Sequence, residues 1–313
     1  MTQSIYSLII PVYKNEPSVP ALLIQCEEIN AALQNRLEVV FVVDGSPDRS
    51  YEILKSNLVG KKFRSQLIKL SKNFGSFIAV RIGLEAAQGN FFSVMAADLQ
   101  EPSELPVEIF NILSTSDVDL VVGQRESRED PFFSRIFSSI FWGVLKRFVF
   151  PDLPKGGVDI FGCSTDFRNA LLKLKETNSS LIGQLFWLGF EKKIVTYKRK
   201  KRQHGKSSWS FSKRFNYLLD SLYSFSDIPI RVLTLAGALG LFLSLSLSLF
   251  IICARVFAQG IVIPGYAATA SIILFFAGLN SFGLGVIGGY VWRAFENTKG
   301  RPNGIIQSLQ KFD

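Results

Sequence analysis

Two long uncharged runs in the C-terminal third constrain this chain more than any other feature. The first extends from Val232 to Ala254 and the second from Gly265 to Trp292, and neither contains a charged residue. As a helix the first run would be roughly 34 Å long, enough to cross a hydrocarbon layer of about 30 Å. A buried core helix can share this composition, but two such runs in succession predict a pair of transmembrane helices, about 232–254 and 266–292.

The charges that flank these runs predict the orientation of the chain. Arg231 precedes the first run, Arg293, Lys299 and Arg301 follow the second, and Arg255 lies between them. Because basic residues concentrate on the cytoplasmic side, we expect the segments before and after the pair to be cytoplasmic. The N-terminus shows no charged segment followed by an apolar one, so no signal peptide is predicted.

The same reasoning divides the chain into three parts. We predict a cytoplasmic domain at 1–228, two transmembrane helices within 229–295, and a cytoplasmic tail at 296–313. The three cysteines are scattered, without the spacing of metal ligands, which is typical of a reducing compartment.

Residues 4–125 repeat a pattern of a short apolar strand followed by a helix. The predicted strands are 7–13, 37–45, 65–71, 91–98 and 119–125, and the stretches between them carry apolar residues at helical spacing. This alternation predicts an α/β fold with a mostly parallel sheet covered on both faces. In such sheets ligands bind beyond the carboxyl ends of the strands. The polar residues predicted there are Pro11 with Tyr13, Asp44, Ser71, Asp98, and Gln124 with Arg125.

Two further segments have more than one interpretation. Residues 134–150 are aromatic and apolar with occasional cations, which is typical either of an amphipathic helix at a membrane surface or of a helix packed on the sheet. Residues 192–214 form the densest cationic run of the chain, for which a solvated loop is the default. Its position before the apolar runs favours an anionic partner at the membrane face. A second amphipathic, membrane-facing segment is predicted near 206–228.

Several classes of chemistry are disfavoured by composition. The chain has a single histidine, His204, so a multi-histidine metal site is excluded and a nucleophile–histidine pair is disfavoured. No phosphate-binding GxxxxGK[ST] loop is present, and no GxGxxG follows the first predicted strand. Although the net charge is +9, one short basic run beside a membrane anchor argues against nucleic acid as the partner.

What remains is a set of carboxylates opposite a set of cations. Asp44 ends the second predicted strand, where it could bind a base or a ribose, although the turn-forming sequence DGSPD equally fits an ordinary turn. Arg125, Arg128, Arg202 and Lys206 could hold phosphate oxygens, since the planar arginine fork binds two oxygens at once. Each cation alone also fits a surface position.

Taken together, these motifs resemble family 2 glycosyltransferases of the GT-A fold. The segments that carry the resemblance are IIPVYKNE, FVVDGSPDRS, NFGSFIAVRIGLEAAQGN, AADLQEP, GQR and GKSSWS, in that order. The chain looks most similar to the polyprenyl-phosphate glycosyltransferases, which include dolichol-phosphate mannose synthase and bacterial undecaprenyl-phosphate glucosyltransferases. The similarity extends to the ending GVIGGYVWRAFENTKGRPNG and so covers nearly the whole chain.

The resemblance implies a role for individual residues. Pro11, Tyr13, Glu16 and Asp44 would line the nucleotide pocket, with Asp44 at the base or ribose. Asp98 and Gln100 match the acid and the glutamine of the family's DADLQ motif, where a divalent ion meets the donor diphosphate. Arg125, Arg128, Arg202, Lys206 and Ser207 would contact donor or acceptor phosphates. Asp159 would be the carboxylate on the acceptor side, so that the catalytic set is Asp98, Asp159 and Arg125.

Two departures from the family pattern affect the expected cofactor. Ala96 replaces the first acid of DADLQ, and Ser208 stands where many relatives have a second lysine. Because Mg²⁺ needs only one or two carboxylates besides substrate phosphates, Asp98 could suffice for Mg²⁺ or Mn²⁺. Alternatively, arginines and lysines neutralise the diphosphate and the enzyme is metal-independent.

The expected reaction is transfer of a sugar, with inversion, from a nucleotide diphosphate to a polyprenyl phosphate, with a UDP-sugar favoured. The expected location is the bacterial inner membrane, with two spans, a cytoplasmic catalytic domain and association into a homo-oligomer through the small residues Gly285 and Gly289. Two alternatives remain: transfer to a hydroxyl of a lipid- or protein-linked glycan, and a degenerate scaffold that lost catalysis with Ala96.

Overall fold

The computed structural model describes residues 6–126, 143, 146, 158, 160–176, 179–200, 211–257 and 265–312. The strands are β1 (Tyr6–Val12), β2 (Leu37–Val43), β3 (Arg64–Leu70), β4 (Phe91–Val94), β5 (Leu120–Arg125), β6 (Ile160–Ser164), β7 (Lys192–Tyr197) and β8 (Ile306–Phe312). The helices are α1 (Val19–Ala32), α2 (Ser50–Asn57), α3 (Ser76–Ala86), α4 (Glu104–Thr115), α5 (Thr165–Lys173), α6 (Leu181–Trp187), α7 (Phe211–Phe225), α8 (Ile228–Phe257) and α9 (Gly265–Thr298).

All eight strands join one sheet in the order β7-β5-β6-β4-β1-β2-β3-β8. β1 pairs in parallel with both β2 and β4, β2 pairs in parallel with β3, and β5 pairs in parallel with β7. β6 and β8 run antiparallel to their neighbours. The predicted α/β fold with a mostly parallel sheet is therefore confirmed, together with the five strands on which it rested.

The core lies on both faces of the sheet. Leu8, Ile10 and Phe41 belong to a buried cluster that includes side chains of α1, α2 and α4. Ile9, Val40 and Val42 point to the other face, where α3, α5 and α6 contribute. Strands buried on both faces read as continuous apolar runs rather than as alternating ones, which is why β1 and β2 were visible in the sequence.

The last strand ties the end of the chain to the beginning of the fold. β8 pairs with β3 along Ser65–Leu70, the Ser71 N–H donates to the Ile305 carbonyl at 3.0 Å, and Tyr51 Oη lies 3.1 Å from Ser308 Oγ. Residues 306–312, which lie within the predicted cytoplasmic tail at 296–313, form an edge strand on the sheet of the N-terminal domain. The helix pair therefore begins and ends at the same domain.

Between that domain and β8, the chain forms two long apolar helices that pack on each other. By length and composition, Ile228–Leu247 and Phe275–Thr298 could each cross a membrane, and only 6% and 11% of these windows are buried. A core helix of a soluble protein would be mostly buried instead. A Cβ added at Gly240 would lie 3.1 Å from the Phe276 ring, and one at Gly283 would lie 3.1 Å from Leu233, so small residues let α8 and α9 approach closely.

Polar and aromatic contacts attach α7 to the end of α9. Arg293 donates a hydrogen bond to Asp220 at 2.6 Å, and its guanidinium lies 4.2 Å from the centroid of the Tyr223 ring. Tyr290 donates to the Ser226 carbonyl at 3.3 Å. A Cβ added at Gly289 would lie 3.1 Å from Tyr223, so within the described residues Gly289 serves a contact inside one chain.

The two segments with open interpretations are only partly described. In 134–150, Gly143 and Lys146 are described, and both are helical and exposed. The basic run 192–214 begins as strand β7, so the default of a loop is wrong for 192–197, and it ends in helix α7. Residues 201–210 lie outside the described residues.

Candidate active site

A crevice is expected between the carboxyl ends of β1 and β4. From β1 the chain continues to β2, toward one edge of the sheet, and from β4 it continues to β5, toward the other edge. The Met95 N–H donates to the Ile9 carbonyl at 3.0 Å, which is the last bond between these strands. Pro11 faces the same side, two residues further along β1. Proline has no N–H to donate and therefore fits a position where the neighbouring strand has ended.

The loop after β1 and the loop after β2 bind each other through a dense set of hydrogen bonds. We call residues 13–16 and 46–50 the first-loop cluster. The Lys14 N–H donates to Ser46 Oγ at 2.8 Å, the Glu16 N–H donates to Asp48 Oδ2 at 3.0 Å, and the Arg49 N–H donates to Glu16 Oε2 at 2.9 Å. Glu16 thus has a visible role in shaping the loops, and its predicted contact with the nucleotide stays a prediction.

Asp48 is the centre of the first-loop cluster. Its Oδ1 accepts hydrogen bonds from the hydroxyls of Ser46 at 2.6 Å and Ser50 at 2.7 Å. Burial by itself would raise the pKa of Asp48, but the hydrogen bonds from these hydroxyls and from the Glu16 N–H outweigh it and lower that pKa. Asp48 was not among the site residues predicted from the sequence, although its place in DGSPDRS, among turn-forming residues, was the available signal.

Asp44 holds the loop between β3 and α3. Its Oδ1 accepts the Phe74 N–H at 2.7 Å and its Oδ2 accepts the Gly75 N–H at 2.8 Å. The residue is 2% exposed, and burial raises the pKa of its carboxyl although the two backbone N–H groups act in the opposite direction. The Asp44 carboxylate therefore stabilises this loop through hydrogen bonds to its backbone. Contact of the same carboxylate with a base or ribose stays a prediction.

Gly45 allows the loops after β2 and β3 to lie in contact. It has a φ of +55°, and a Cβ built on it would lie 2.2 Å from the backbone carbon of Lys72 and 2.3 Å from the backbone nitrogen of Asn73. Glycine is the residue that tolerates both the left-handed conformation and this close approach.

Asp98 lies in a tight turn after β4 and not at the end of a long strand, because β4 stops at Val94. Its Oδ1 accepts the Gln100 N–H at 3.3 Å. Leu99 between them has a φ of +60°, a left-handed conformation that costs a residue with a side chain about 1 kcal/mol. This turn fixes the Asp98 carboxylate, which is 11% exposed, relative to the end of β4.

Arg199 lies beside Asp98 and was missed by the sequence analysis. Its Nη2 is 3.8 Å from Asp98 Oδ2 and 3.9 Å from Glu101 Oε1, distances longer than those of hydrogen bonds. Its buried Nε has no hydrogen-bond partner among the described residues. We call Asp98, Glu101 and Arg199 the carboxylate–arginine cluster, in which two carboxylates surround one guanidinium.

Hydrogen bonds between loops hold this cluster together. The Lys200 N–H donates to the Gln100 carbonyl at 2.8 Å, and Gln100 Nε2 donates to the Lys200 carbonyl at 3.1 Å. Gln25 Nε2 donates to the Glu101 carbonyl at 2.9 Å. The visible role of Gln100 is therefore to join the segment after β7 to the turn at Asp98.

Arg125 ends β5 and pairs in register with Tyr197, the last residue of β7. Arg199 follows two residues later, so both arginines stand at the carboxyl ends of neighbouring parallel strands. The remaining predicted site residues lie outside the described residues: Arg128, Asp159, Arg202, Lys206 and Ser207. Ile160, which follows Asp159 in the chain, pairs with Gly123 near the same end of β5.

A divalent cation at this site would find few protein ligands. Among the described residues no group of three or more His, Cys, Asp or Glu side chains is arranged to hold a metal ion. Ala96 has no donor atom, which leaves Asp98 as the carboxylate of the motif. A single carboxylate fits Mg²⁺ when substrate phosphates and water complete the coordination.

Comparisons with known proteins agree with this architecture. The sequence profile of "Glycosyl transferase family 2" matches residues 7–174. CsbB of Bacillus subtilis (strain 168), which its name describes as a glycosyltransferase, is 35% identical over 309 residues, or 98% of this chain and 92% of CsbB. The prophage bactoprenol glucosyl transferase homolog of Escherichia coli (strain K12) is 28% identical over 306 residues, or 97% of this chain and 99% of that protein.

Among solved structures, glucosyl-3-phosphoglycerate synthase from Mycobacterium tuberculosis, in complex with Mn²⁺, UDP-glucose and phosphoglyceric acid, superposes with a TM-score of 0.50. Its sequence is 13% identical, and the match covers 70% of this chain and 79% of that one. This likeness concerns the fold alone, a GT-A-like α/β domain. Since the profile spans over half of the chain and CsbB aligns along nearly all of it, the chain belongs to glycosyl transferase family 2.

Proposed function

We propose that this chain transfers a sugar from a nucleoside diphosphate to a polyprenyl phosphate at the cytoplasmic face of the bacterial inner membrane. The proposal rests on one observation: the candidate active site and the two apolar helices are attached to the same sheet. The carboxylate–arginine cluster lies at the carboxyl ends of the strands, and β8 attaches the same sheet to two apolar helices. The relative named for bactoprenol, a polyprenyl carrier, matches along both features.

The donor would bind across the crevice between β1 and β4. Pro11 and Tyr13 stand on the nucleotide side with the first-loop cluster, and the diphosphate would face Asp98 and Arg199. Arginine suits this role because its charge is permanent and its fork matches phosphate oxygens. The nucleoside is expected to be uridine.

The departing diphosphate needs positive groups beside it. Arg199 and Arg125, at the carboxyl ends of neighbouring strands, and a divalent cation held by Asp98, Mg²⁺ or Mn²⁺, would supply that positive charge. When bound, such a cation stabilises the negative charge that develops on the departing diphosphate.

The membrane would bring the acceptor to this site. Because β8 returns to the sheet from which the chain departed, α8 and α9 together make an even number of crossings, and two crossings place the domain and β8 on one side. Arg231 before α8 and Arg293 near the end of α9 favour the cytoplasmic side. A polyprenyl phosphate keeps its tail in the bilayer and its phosphate at that surface.

The proposed step is an in-line displacement at the anomeric carbon of the sugar. A phosphate oxygen of the acceptor forms the new C–O bond, while the bond to the nucleoside diphosphate breaks and its electron pair leaves on the β-phosphate oxygen. The second pKa of a phosphate monoester is about 6, so the acceptor is mostly dianionic and loses no proton in the step. Asp159, outside the described residues, would orient the acceptor.

A donor panel with undecaprenyl phosphate in detergent tests this function. We expect one nucleoside diphosphate sugar, with the uridine compounds first, to yield a lipid-extractable glycosyl phosphate of inverted configuration. The same reactions with a chelator measure the need for a metal. Transfer only to hydroxyl acceptors, or no consumption of any nucleotide sugar by protein that is folded, would contradict the proposal. Light scattering of the same sample tests the expected homo-oligomer.

A further inference from the structure

Trp187 is exposed although it belongs to the N-terminal domain. It ends α6 and is 61% exposed, and Ile194 on β7 is 43% exposed. Among the described residues before α8, Ile24 and Val59 are the other large apolar side chains exposed to this degree. Covering apolar surface stabilises it by about 25 cal/mol per Å², so a partner at Trp187 would contribute measurably.

The packing of α6 on α7 shows where Trp187 lies. The hydroxyls of Ser180, the N-cap of α6, and Tyr217 are hydrogen-bonded, and a Cβ added at Gly183 would lie 2.3 Å from the Phe225 ring. Both contacts lie at the start of α6, which therefore packs against residues about two turns apart on α7.

Trp187 lies one helical turn beyond this contact. It is four residues after Gly183, on the same face of α6, and Gly183 meets Phe225, the last residue of α7. The chain passes from Phe225 through Ser226 and Asp227 into α8, so Trp187 lies near the connection to the first apolar helix.

Basic residues accompany this tryptophan. Lys192 Nζ lies 5.7 Å from the centroid of the Phe186 ring, and Lys192 and Lys193 on the edge strand β7 are both exposed. Lys192 and Ile194 share one face of that strand, because side chains alternate along it. An aromatic residue with an apolar neighbour and a cation on the same face matches the boundary between lipid headgroups and acyl chains, where tryptophan is enriched.

We propose that the C-terminal turn of α6 and the start of β7 form a lipid-contact surface, with Trp187 inserted at the headgroup level and Lys192 facing anionic headgroups. The proposal rests on the proposed function in one respect, namely that α8 crosses a bilayer. It adds a contact made by the domain itself, which would limit rotation of the domain about the α7–α8 connection and hold the crevice at a fixed height above the membrane.

Fluorescence of Trp187 in vesicles of phosphatidylcholine and phosphatidylglycerol tests this surface. The chain has four tryptophans, so a variant with Trp142→Phe, Trp209→Phe and Trp292→Phe leaves Trp187 alone. We expect blue-shifted emission that nitroxides at the headgroup quench more than nitroxides deep in the acyl chains, and little quenching by aqueous iodide. If this variant does not fold, the difference between the native chain and Trp187→Phe gives the same spectrum.

The matched control places a tryptophan at Val59, another exposed apolar position of the N-terminal domain. Val59 is 72% exposed, so Val59→Trp, with all four native tryptophans replaced, is expected to be quenched by iodide and not by lipid nitroxides. Protein that floats with the vesicles while Trp187 behaves like this control would overturn the lipid contact and leave the proposed function intact. Protein that does not float with vesicles would overturn the membrane anchorage and the contact with it.

Discussion

The two polar clusters beside the crevice differ in the contacts that their central side chains make among the described residues. In the first-loop cluster, Asp48 accepts bonds at 2.6 to 3.3 Å from hydroxyls and backbone N–H groups. In the carboxylate–arginine cluster, the guanidinium of Arg199 lies 3.8 and 3.9 Å from its two carboxylates, and its Nε lacks a partner among the described residues.

This difference indicates that the two clusters have different roles in the donor site. A fully bonded loop keeps its shape without a ligand and presents a fixed surface to the nucleoside. A buried donor without an acceptor is costly, and a bound diphosphate would remove that cost. We therefore interpret the first cluster as preformed and the second as completed by the substrate. Four substitutions test this difference between the two clusters.

The largest effect is expected from Gly45→Ala, which changes the backbone next to the preformed first-loop cluster. The new Cβ would meet the backbone of Lys72 and Asn73 and would also force alanine into a left-handed conformation. Overpacking and backbone strain together should lower the free energy of unfolding by about 3 kcal/mol, measured by thermal unfolding in detergent. Gly60→Ala is the matched control, because its φ is +79° but nothing lies within 4 Å of the added Cβ. Equal losses in both variants would show that the close approach is unimportant.

Arg199→Gln should have the next largest effect, on activity and not on folding. Loss of a charge that stabilises the departing diphosphate typically lowers kcat about 10²-fold or more, and donor KM should rise because the cluster becomes more negative. Lys198→Gln removes one charge from the same segment at a side chain that is 87% exposed, and it should change little. Steady-state kinetics of the two variants measure this difference. If Arg199→Gln were as active as Lys198→Gln, the proposed role of Arg199 would be refuted.

A smaller effect, in the opposite direction, is expected from Ala96→Asp. A second carboxylate beside Asp98 would add a ligand for a divalent cation, and a gain of about 1.4 kcal/mol would lower the metal concentration for half-maximal activity about tenfold. Titration of Mg²⁺ into chelator-treated enzyme measures this shift. An unchanged titration curve would mean that Asp98 and position 96 do not share one cation.

Asp48→Asn should have the smallest effect, about 1 kcal/mol of stability at neutral pH, as for a typical lost hydrogen bond. Because folding lowers the pKa of Asp48 from its ordinary 3.8, its stabilisation is complete above that value and is lost as the pH falls through the lower folded value. The difference between native chain and variant should therefore shrink in acid. Asp117→Asn, at an exposed carboxylate, is the control, and a difference that does not depend on pH would contradict this assignment.

The sequence predicted the parts of the fold whose signal is local. β1 and β2 are apolar runs buried on both faces, and α1 and α3 carry apolar residues at helical spacing. β7 was missed because an edge strand with exposed lysines reads as a solvated basic run. β8 was missed because it follows the apolar helices, while its partner β3 lies far away in the sequence.

The candidate site was predictable only where a motif marked it. Asp98 was found from AADLQ, but Arg199 could not be distinguished from its cationic neighbours until the register of β7 with β5 placed it beside the turn at Asp98. Asp44 shows the opposite case: its motif suggested a ligand contact, and the structure adds that its carboxylate holds the loop at Phe74 and Gly75.

Hydrogen exchange of backbone amides with and without UDP tests most directly whether the first-loop cluster is preformed and the carboxylate–arginine cluster is completed by the substrate. The account predicts that amides of residues 13–16 and 46–50 are already protected in the free protein and change little. Amides of residues 98–101 and 198–200 should gain protection when UDP binds in the presence of Mg²⁺. Protection that instead appears first in the two loops of the first-loop cluster, with no change around Asp98 and Arg199, would contradict it.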